Sequence, residues 1–146
     1  MKYEIVIDPM TIEKELSLSP YNLKKDMKDI NNNDEKAIVS GLRYELINGP
    51  GRGSYAICYK CKRDIRIHYA KIRVPDEKRN RGKSGGYRVI SLIDSDIQYC
   101  FVLHIYRHAH GEDNDISKND KNSLEKLVEE YYNSKCRWIK EKKEGK

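Results

Sequence analysis

The hydrophobic periodicity of the chain changes near Ser54, and this change most constrains what the chain can fold into. Before that point apolar residues recur every three or four positions, as they do along one side of a helix. From Ser54 to Tyr106 they alternate with polar residues, as they do along a strand that buries one face. The sequence therefore predicts helices in the first third of the chain and a sheet after them.

The alternating region divides into four predicted strands because three polar segments interrupt it. Residues 62–64 and 94–96 are short enough for hairpin turns, whereas residues 75–86 form a longer, basic loop that contains glycine. Strands joined in this way pair as antiparallel neighbours. The predicted strands cover residues 55–59, 65–74, 87–93 and 98–106.

The remaining segments predict one more strand and three helices. Residues Lys2–Ile7 alternate between polar and apolar side chains, which indicates a short strand. Residues 20–30 and 34–48 have apolar residues at helical spacing on either side of an asparagine run, and together they predict a helical hairpin. Ser117 and Asp120 fit a capping box at the start of a C-terminal amphipathic helix.

This order of elements predicts an α+β fold. We expect an antiparallel sheet with an N-terminal helical hairpin and a C-terminal helix packed on one face, which leaves the other face free to bind. A chain of 146 residues with 38% hydrophobic residues has material for one core. We therefore expect a single domain over residues 1–139, followed by a frayed basic tail over residues 140–146.

The positive charge of the chain is concentrated in one segment. Eleven basic and three acidic residues lie between Cys58 and Arg88, whereas the whole chain has a net charge of +6. Clustered cations attract a polyanion because each neutralised phosphate releases condensed counterions. The segment therefore indicates a nucleic acid partner, although a loop whose lysines only aid solubility would have the same composition.

Three of these cations are predicted to share one face of the sheet. Alternation puts Lys71 and Arg73 on the same face of one strand, and Arg88 shares that face if the next strand pairs with it. We expect the three side chains to meet on an exposed surface. Fixed cations there would stabilise the negative charge that develops at phosphorus when RNA is cleaved by its own 2′-hydroxyl. Phosphate binding without chemistry remains the alternative.

The region around these cations resembles the RelE/HigB branch of the RelE/ParE toxin superfamily. The resemblance lies in the order K-I-R, a basic loop, G-K-S-G-G-Y-R-V-I, a strand that ends in I-Y, and D-I-S before the last helix. It covers roughly residues 41–130. It implies a RelE-like toxin domain and an endoribonuclease that cuts messenger RNA in the ribosomal decoding site, with no metal or other cofactor.

The resemblance also implies roles for single residues. Lys71 would be a general base or a stabilising charge, Arg73 a phosphate clamp and Arg88 the main cation at the scissile phosphate. His108 would protonate the departing 5′ oxygen, with His110 as the second choice. The other residues implied to contact RNA are Arg81, Lys83, Tyr87, Tyr106, Arg107 and His110.

The partners that the resemblance implies are messenger RNA, the ribosome and a small acidic antitoxin protein. Two other functions fit the same chain: a ParE-type toxin that inhibits DNA gyrase without cutting nucleic acid, and a plain RNA-binding module. The cation cluster and a nearby histidine favour the nuclease, because a gyrase inhibitor has no need of them.

The cysteines and the N-terminal segment predict a cytoplasmic protein with reduced thiols. No apolar run is long enough for a signal peptide or a membrane span, so we expect no membrane partner. Cys58 and Cys61 supply half of a tetrahedral zinc site, but no second pair follows at the usual spacing, and we expect no metal. His68 and His104 lie within predicted strands and are expected to be structural.

Overall fold

The computed structural model describes residues 2–16, 23–51, 53–76, 86–107 and 116–144, with side chains for all of these except residues 15, 16 and 135–144. Within these segments the chain forms a five-stranded sheet and four α-helices, with a 3-10 turn at Met27–Asp29. In chain order the elements are β1 (Glu4–Val6), α1 (Pro9–Leu16), α2 (Leu23–Asp26), α3 (Asn32–Asn48), β2 (Tyr55–Lys60), β3 (Ile67–Val74), β4 (Tyr87–Asp94), β5 (Tyr99–Arg107) and α4 (Lys118–Glu144).

The strands lie in the order β1-β5-β4-β3-β2. The pairs from β2 to β5 are antiparallel, as the hairpin turns predicted, but β1 runs parallel to β5. The prediction of a purely antiparallel sheet is therefore wrong. The error has a physical reason, because the pairing of β1 joins segments about 95 residues apart in the sequence and no local pattern records it.

The predicted α+β class and most element boundaries are confirmed. Strands β2 to β5 begin and end within two residues of the predicted positions. Asn31, from the asparagine run, caps α3 by accepting a hydrogen bond from the backbone N–H of Asp34 at 2.8 Å. Ser117 caps α4 in the same way through the N–H of Asp120 at 3.2 Å. Helix α4 continues to Glu144, past the position at which the tail was expected to begin.

Helix α1 was not predicted, although its start has a recognisable signal. The Asp8 carboxylate accepts hydrogen bonds from the backbone N–H and the hydroxyl of Thr11, at 3.1 and 2.6 Å. Pro9 then occupies the first helical position, where its missing N–H costs nothing. The pair Asp8-Pro9 therefore starts a helix as well as ending β1.

The helices lie on both faces of the sheet, so the prediction that they share one face is wrong. Gly41 of α3 packs against Val74, which lies on one face of β3. Tyr131 of α4 instead packs its ring on Phe101, with 5.7 Å between centroids, and donates a hydrogen bond of 2.8 Å to buried Asp94. The strand register puts Asp94 and Val74 on opposite faces. We call these the α3 face and the α4 face.

Gly41 allows α3 to approach the sheet closely, and this predicts the effect of a larger residue. A Cβ atom at this position would lie 2.5 Å from Cγ1 of Val74. Because Val74 is buried and β-branched, helix and strand must separate, and we expect Gly41→Ala to lower the free energy of unfolding by about 1–3 kcal/mol despite the better helix propensity of alanine. Urea denaturation measures the change. Ser40→Ala, at an exposed neighbouring position, is the control, and equal stabilities of the two variants would contradict the prediction.

A buried histidine on the α3 face makes the free energy of unfolding depend on pH. His68 is 5% exposed, and its Nε2 lies 2.8 Å from the hydroxyl oxygen of Tyr55. Burial, and then the charge of Lys60, lowers the pKa of His68 from 6.5 to about 4. The unfolded chain therefore takes up a proton on this histidine before the folded chain does.

We expect His68 to stabilise the fold fully above about pH 6.5 and to lose up to about 3 kcal/mol of that stability as the pH falls towards 4. His68→Gln keeps a hydrogen-bonding side chain near Tyr55 but does not titrate. Urea denaturation between pH 7 and 4.5 should show a smaller loss of stability in the variant than in the wild type. Equal losses would show that His68 does not carry the dependence.

Candidate active site

The register of β3 and β4 brings the three predicted cations to one face. Arg73 and Arg88 are direct cross-strand partners, and Lys71 lies two residues along β3, opposite Ile90. All three lie on the α4 face, at the end of the strands away from Asp94 and Tyr131. We call Lys71, Arg73 and Arg88 the cation cluster.

Strand β5 adds two aromatic rings to the same surface because of a bulge. Ser91 pairs with Val102 and Ile90 pairs with His104, so Leu103 is an extra residue on β5. A regular strand would direct His104 and Tyr106 towards the α3 face, and the extra residue reverses this. Tyr106 is therefore the cross-strand partner of Arg88, on the face of the cation cluster.

A carboxylate from α2 holds His104. Oδ2 of Asp26 lies 2.7 Å from Nδ1 of His104 and accepts a hydrogen bond of 2.9 Å from the backbone N–H of Ile105. The imidazole also stacks on the ring of Tyr106, with 4.9 Å between centroids and 25° between planes. Since β1 pairs with β5 only as far as Phe101, Asp26 binds the part of this strand edge that β1 does not reach.

The cation cluster is positively charged and partly shielded from water. Arg88 is only 4% exposed, so the expectation that it stands on an open surface is wrong. Burial, and then the charge of Arg73, lowers the pKa of Arg88, although a guanidinium stays protonated at neutral pH. Like charges placed directly opposite each other destabilise a sheet. The register therefore holds two like charges side by side, one of them almost fully buried.

Two predicted RNA-contact residues lie on the other face. Tyr87 and Arg107 are cross-strand partners on the α3 face, and Arg107 donates a hydrogen bond of 3.0 Å to the Tyr87 hydroxyl. The guanidinium also lies over the Tyr87 ring, 5.1 Å from its centroid. The structure therefore does not bring these two side chains to the cation cluster.

The remaining predicted residues lie outside the part of the chain that the structure describes, and their roles stay predictions. These residues are Arg81, Lys83, His108 and His110.

The cysteines do not gather into a metal site among the described residues. There, no three His, Cys, Asp or Glu side chains lie together as metal ligands would. Cys58 is exposed and Cys61 buried, and neither they nor Cys100 form a disulfide. No described helix is long and apolar enough to cross a membrane.

Sequence analysis did not place His104 or Asp26 beside the cation cluster. His104 was expected to be structural because it lies within a predicted strand. Asp26 comes from a helix distant in sequence, and its carboxylate had no signal of its own. The motif H-I-Y contained one hint, since it places a histidine and a tyrosine two residues apart beside a cationic strand.

Comparison with protein-family models, curated proteins and solved structures found no match to this chain. The geometry of the α4 face is therefore the main ground for assigning a function.

The facing arginines predict that removing one of them weakens RNA binding without lowering the stability of the fold. Arg73→Gln removes one of two like charges, so we expect the free energy of unfolding to stay level or rise by up to about 1 kcal/mol. The same change should weaken binding to a labelled single-stranded RNA several-fold, because one phosphate contact is lost. Thermal melting and fluorescence anisotropy measure the two effects.

Lys62→Gln removes one positive charge from the turn between β2 and β3, at the other end of β3 from Arg73, and is the matched control. We expect it to weaken RNA binding much less than Arg73→Gln does. Equal weakening by both variants would mean that net charge, and not the cluster, attracts the RNA.

Proposed function

We propose that this protein is an endoribonuclease toxin of the RelE/HigB type, which cuts messenger RNA on the ribosome in the cytoplasm. The observation that carries the proposal is the placement of Arg73 directly opposite Arg88 on two central strands, with Lys71 and Tyr106 beside them. These are the residues through which the sequence resembles that branch of toxins.

The proposed reaction needs a preorganised positive charge. The ribose 2′-hydroxyl attacks phosphorus, the P–O5′ bond breaks, and the products are a 2′,3′-cyclic phosphate and a 5′-hydroxyl. Negative charge builds up on the non-bridging phosphate oxygens on the way. Arginine suits this charge because its planar guanidinium donates two parallel hydrogen bonds to phosphate oxygens. Arg73 and Arg88 would supply such donors.

The burial of Arg88 favours a nuclease over a plain RNA-binding module. A module that only holds phosphates gains nothing from dehydrating a cation beside a second cation, because both changes cost stability. A catalytic site gains from them, since electrostatic stabilisation is stronger where water is excluded. Tyr106 would stack on a base next to the cleaved bond, as aromatic residues do in single-stranded RNA recognition.

The charge of the chain supports the proposed partners. A net charge of +6 suits both an RNA and a small acidic antitoxin protein, because complementary charge speeds association and selects partners. We therefore propose messenger RNA, the ribosome and such an antitoxin as the partners of this chain.

Cleavage of messenger RNA by purified protein tests the proposal. With ribosomes and a defined message, primer extension should reveal cuts that appear only when the purified protein is added. Arg88→Ala should slow cleavage by about 10²-fold or more, because it removes transition-state charge stabilisation. RNA affinity should fall far less than the cleavage rate. Lys62→Ala is the matched control and should cut at nearly the wild-type rate.

Two results would overturn the proposal and identify the alternatives. An intact message together with inhibited DNA supercoiling by gyrase would indicate a ParE-type toxin. An intact message with RNA binding that Arg88→Ala abolishes would indicate a plain RNA-binding module.

A further inference from the structure

The hydrogen bonds of Asp26 fix which nitrogen of His104 carries a proton. A carboxylate accepts hydrogen bonds and does not donate them, so Nδ1 of His104 must be the donor in the 2.7 Å contact. In the neutral imidazole the lone pair then lies on Nε2. His104 is thereby held in the tautomer that can accept a proton through Nε2.

The strand register places His104 on the same face as the cation cluster. His104 and Lys71 flank Ile90 on its two sides, and Tyr106, which stacks on His104, is the partner of Arg88. Neighbouring strands lie about 4.8 Å apart, so the backbone of His104 is about 10 Å from that of Lys71. Both side chains extend from the same face, on either side of Ile90, which is itself buried. The His104 side chain is 16% exposed.

The other described strand histidine provides a contrast within the same sheet. His68 lies on the α3 face beside a tyrosine hydroxyl, and its pKa is lowered to about 4, so it stays neutral in the core. His104 has a carboxylate partner and lies on the face of the cations. Asp26 already binds the backbone of Ile105, so fastening α2 to β5 does not require an imidazole.

We propose that His104 is the general base of this site and that Asp26 is its positioning residue. This inference rests on the proposed nuclease function and deepens it, since it replaces Lys71 in the role of base. Nε2 of His104 takes the proton of the ribose 2′-hydroxyl as the O2′–P bond forms. The P–O5′ bond breaks, and the 5′ oxygen leaves with a proton from water.

The charged and titratable groups around His104 suit this role. Asp26 of α2 stabilises the imidazolium that forms when the proton is taken up. Lys71 of β3 and Arg88 of β4 oppose that charge, and they also favour the anionic phosphate beside it. Tyr106 of β5 stacks on the ring and fixes its plane. The imidazole is therefore held as a base before the RNA binds.

Single-turnover cleavage by two variants tests the proposal. His104→Gln should slow cleavage by about 10²–10⁴-fold, the usual contribution of a general base. Asp26→Asn should slow it by about 10-fold or more, because the amide no longer selects the tautomer. Asp29→Asn changes the same charge three residues further along and should cut at nearly the wild-type rate. The acid limb of the pH–rate profile should be present in the wild type and absent from His104→Gln.

An RNA substrate with a sulfur substitution distinguishes whether His104 acts as a general base or as a general acid. A substrate with sulfur in place of the bridging 5′ oxygen has a leaving group that needs no proton. If His104 is the base, His104→Gln should remain slow on this substrate. Recovery of the wild-type rate would overturn the proposal and show that His104 is the acid. Wild-type rates of His104→Gln on ordinary RNA would overturn it as well.

Two controls keep these results interpretable. A cooperative melt and unchanged RNA affinity show that His104→Gln is folded, and His104→Asn replaces it if it is not. If the wild-type protein leaves RNA intact, both the proposed nuclease function and the proposed role of His104 are overturned. If the wild type and His104→Gln cut RNA equally fast, only the assignment of His104 as general base is overturned.

Discussion

The register between β3 and β4 is the constraint on which the rest of this molecule depends. It sets Arg73 opposite Arg88, and by alternation it decides which side chains face α3 and which face α4. A slip of one residue would send Arg88 to the α3 face and exchange every buried side chain of β4 for its neighbour. Because β4 is buried along its whole length, such a slip is strongly opposed. The packing of the core therefore fixes the geometry of the site.

The bulge at Leu103 is the second feature that determines which side chains lie on each face. It leaves Tyr99 and Phe101 on the α4 face and brings His104 and Tyr106 to that same face further along β5. One strand can thereby pack against α4 at one end and contribute to a polar surface at the other. The buried Asp94 completes the arrangement, since it accepts hydrogen bonds from Tyr131 and from the backbone of the β4–β5 turn. The end of the sheet that packs against Tyr131 is therefore separate from the end that carries the cation cluster.

Alternation along the sequence was enough to predict the strands, and it placed Lys71 and Arg73 on one face with Arg88 beside them. It failed where a single backbone residue or a distant segment decides the outcome. Leu103 carries no signal that marks it as a bulge, so the sequence did not predict that His104 shares a face with the cation cluster. The parallel β1 pairing and the approach of Asp26 depend on contacts between segments distant in sequence. Helix α1 is different, because Asp8-Pro9 is a local signal for a helix start that the sequence does contain.

The charged pairs of the site lower the free energy of unfolding, and apolar packing elsewhere in the fold compensates for this loss. Two facing arginines and a partly buried His104–Asp26 pair each lower stability relative to apolar side chains of similar size. The apolar contacts of β3, β4 and β5 with α3 and α4 offset that cost. Pairs of this kind are retained where they serve binding or chemistry, because selection for stability alone would replace them. The part of the sheet that holds these charged pairs is therefore the part in which we propose that its function lies.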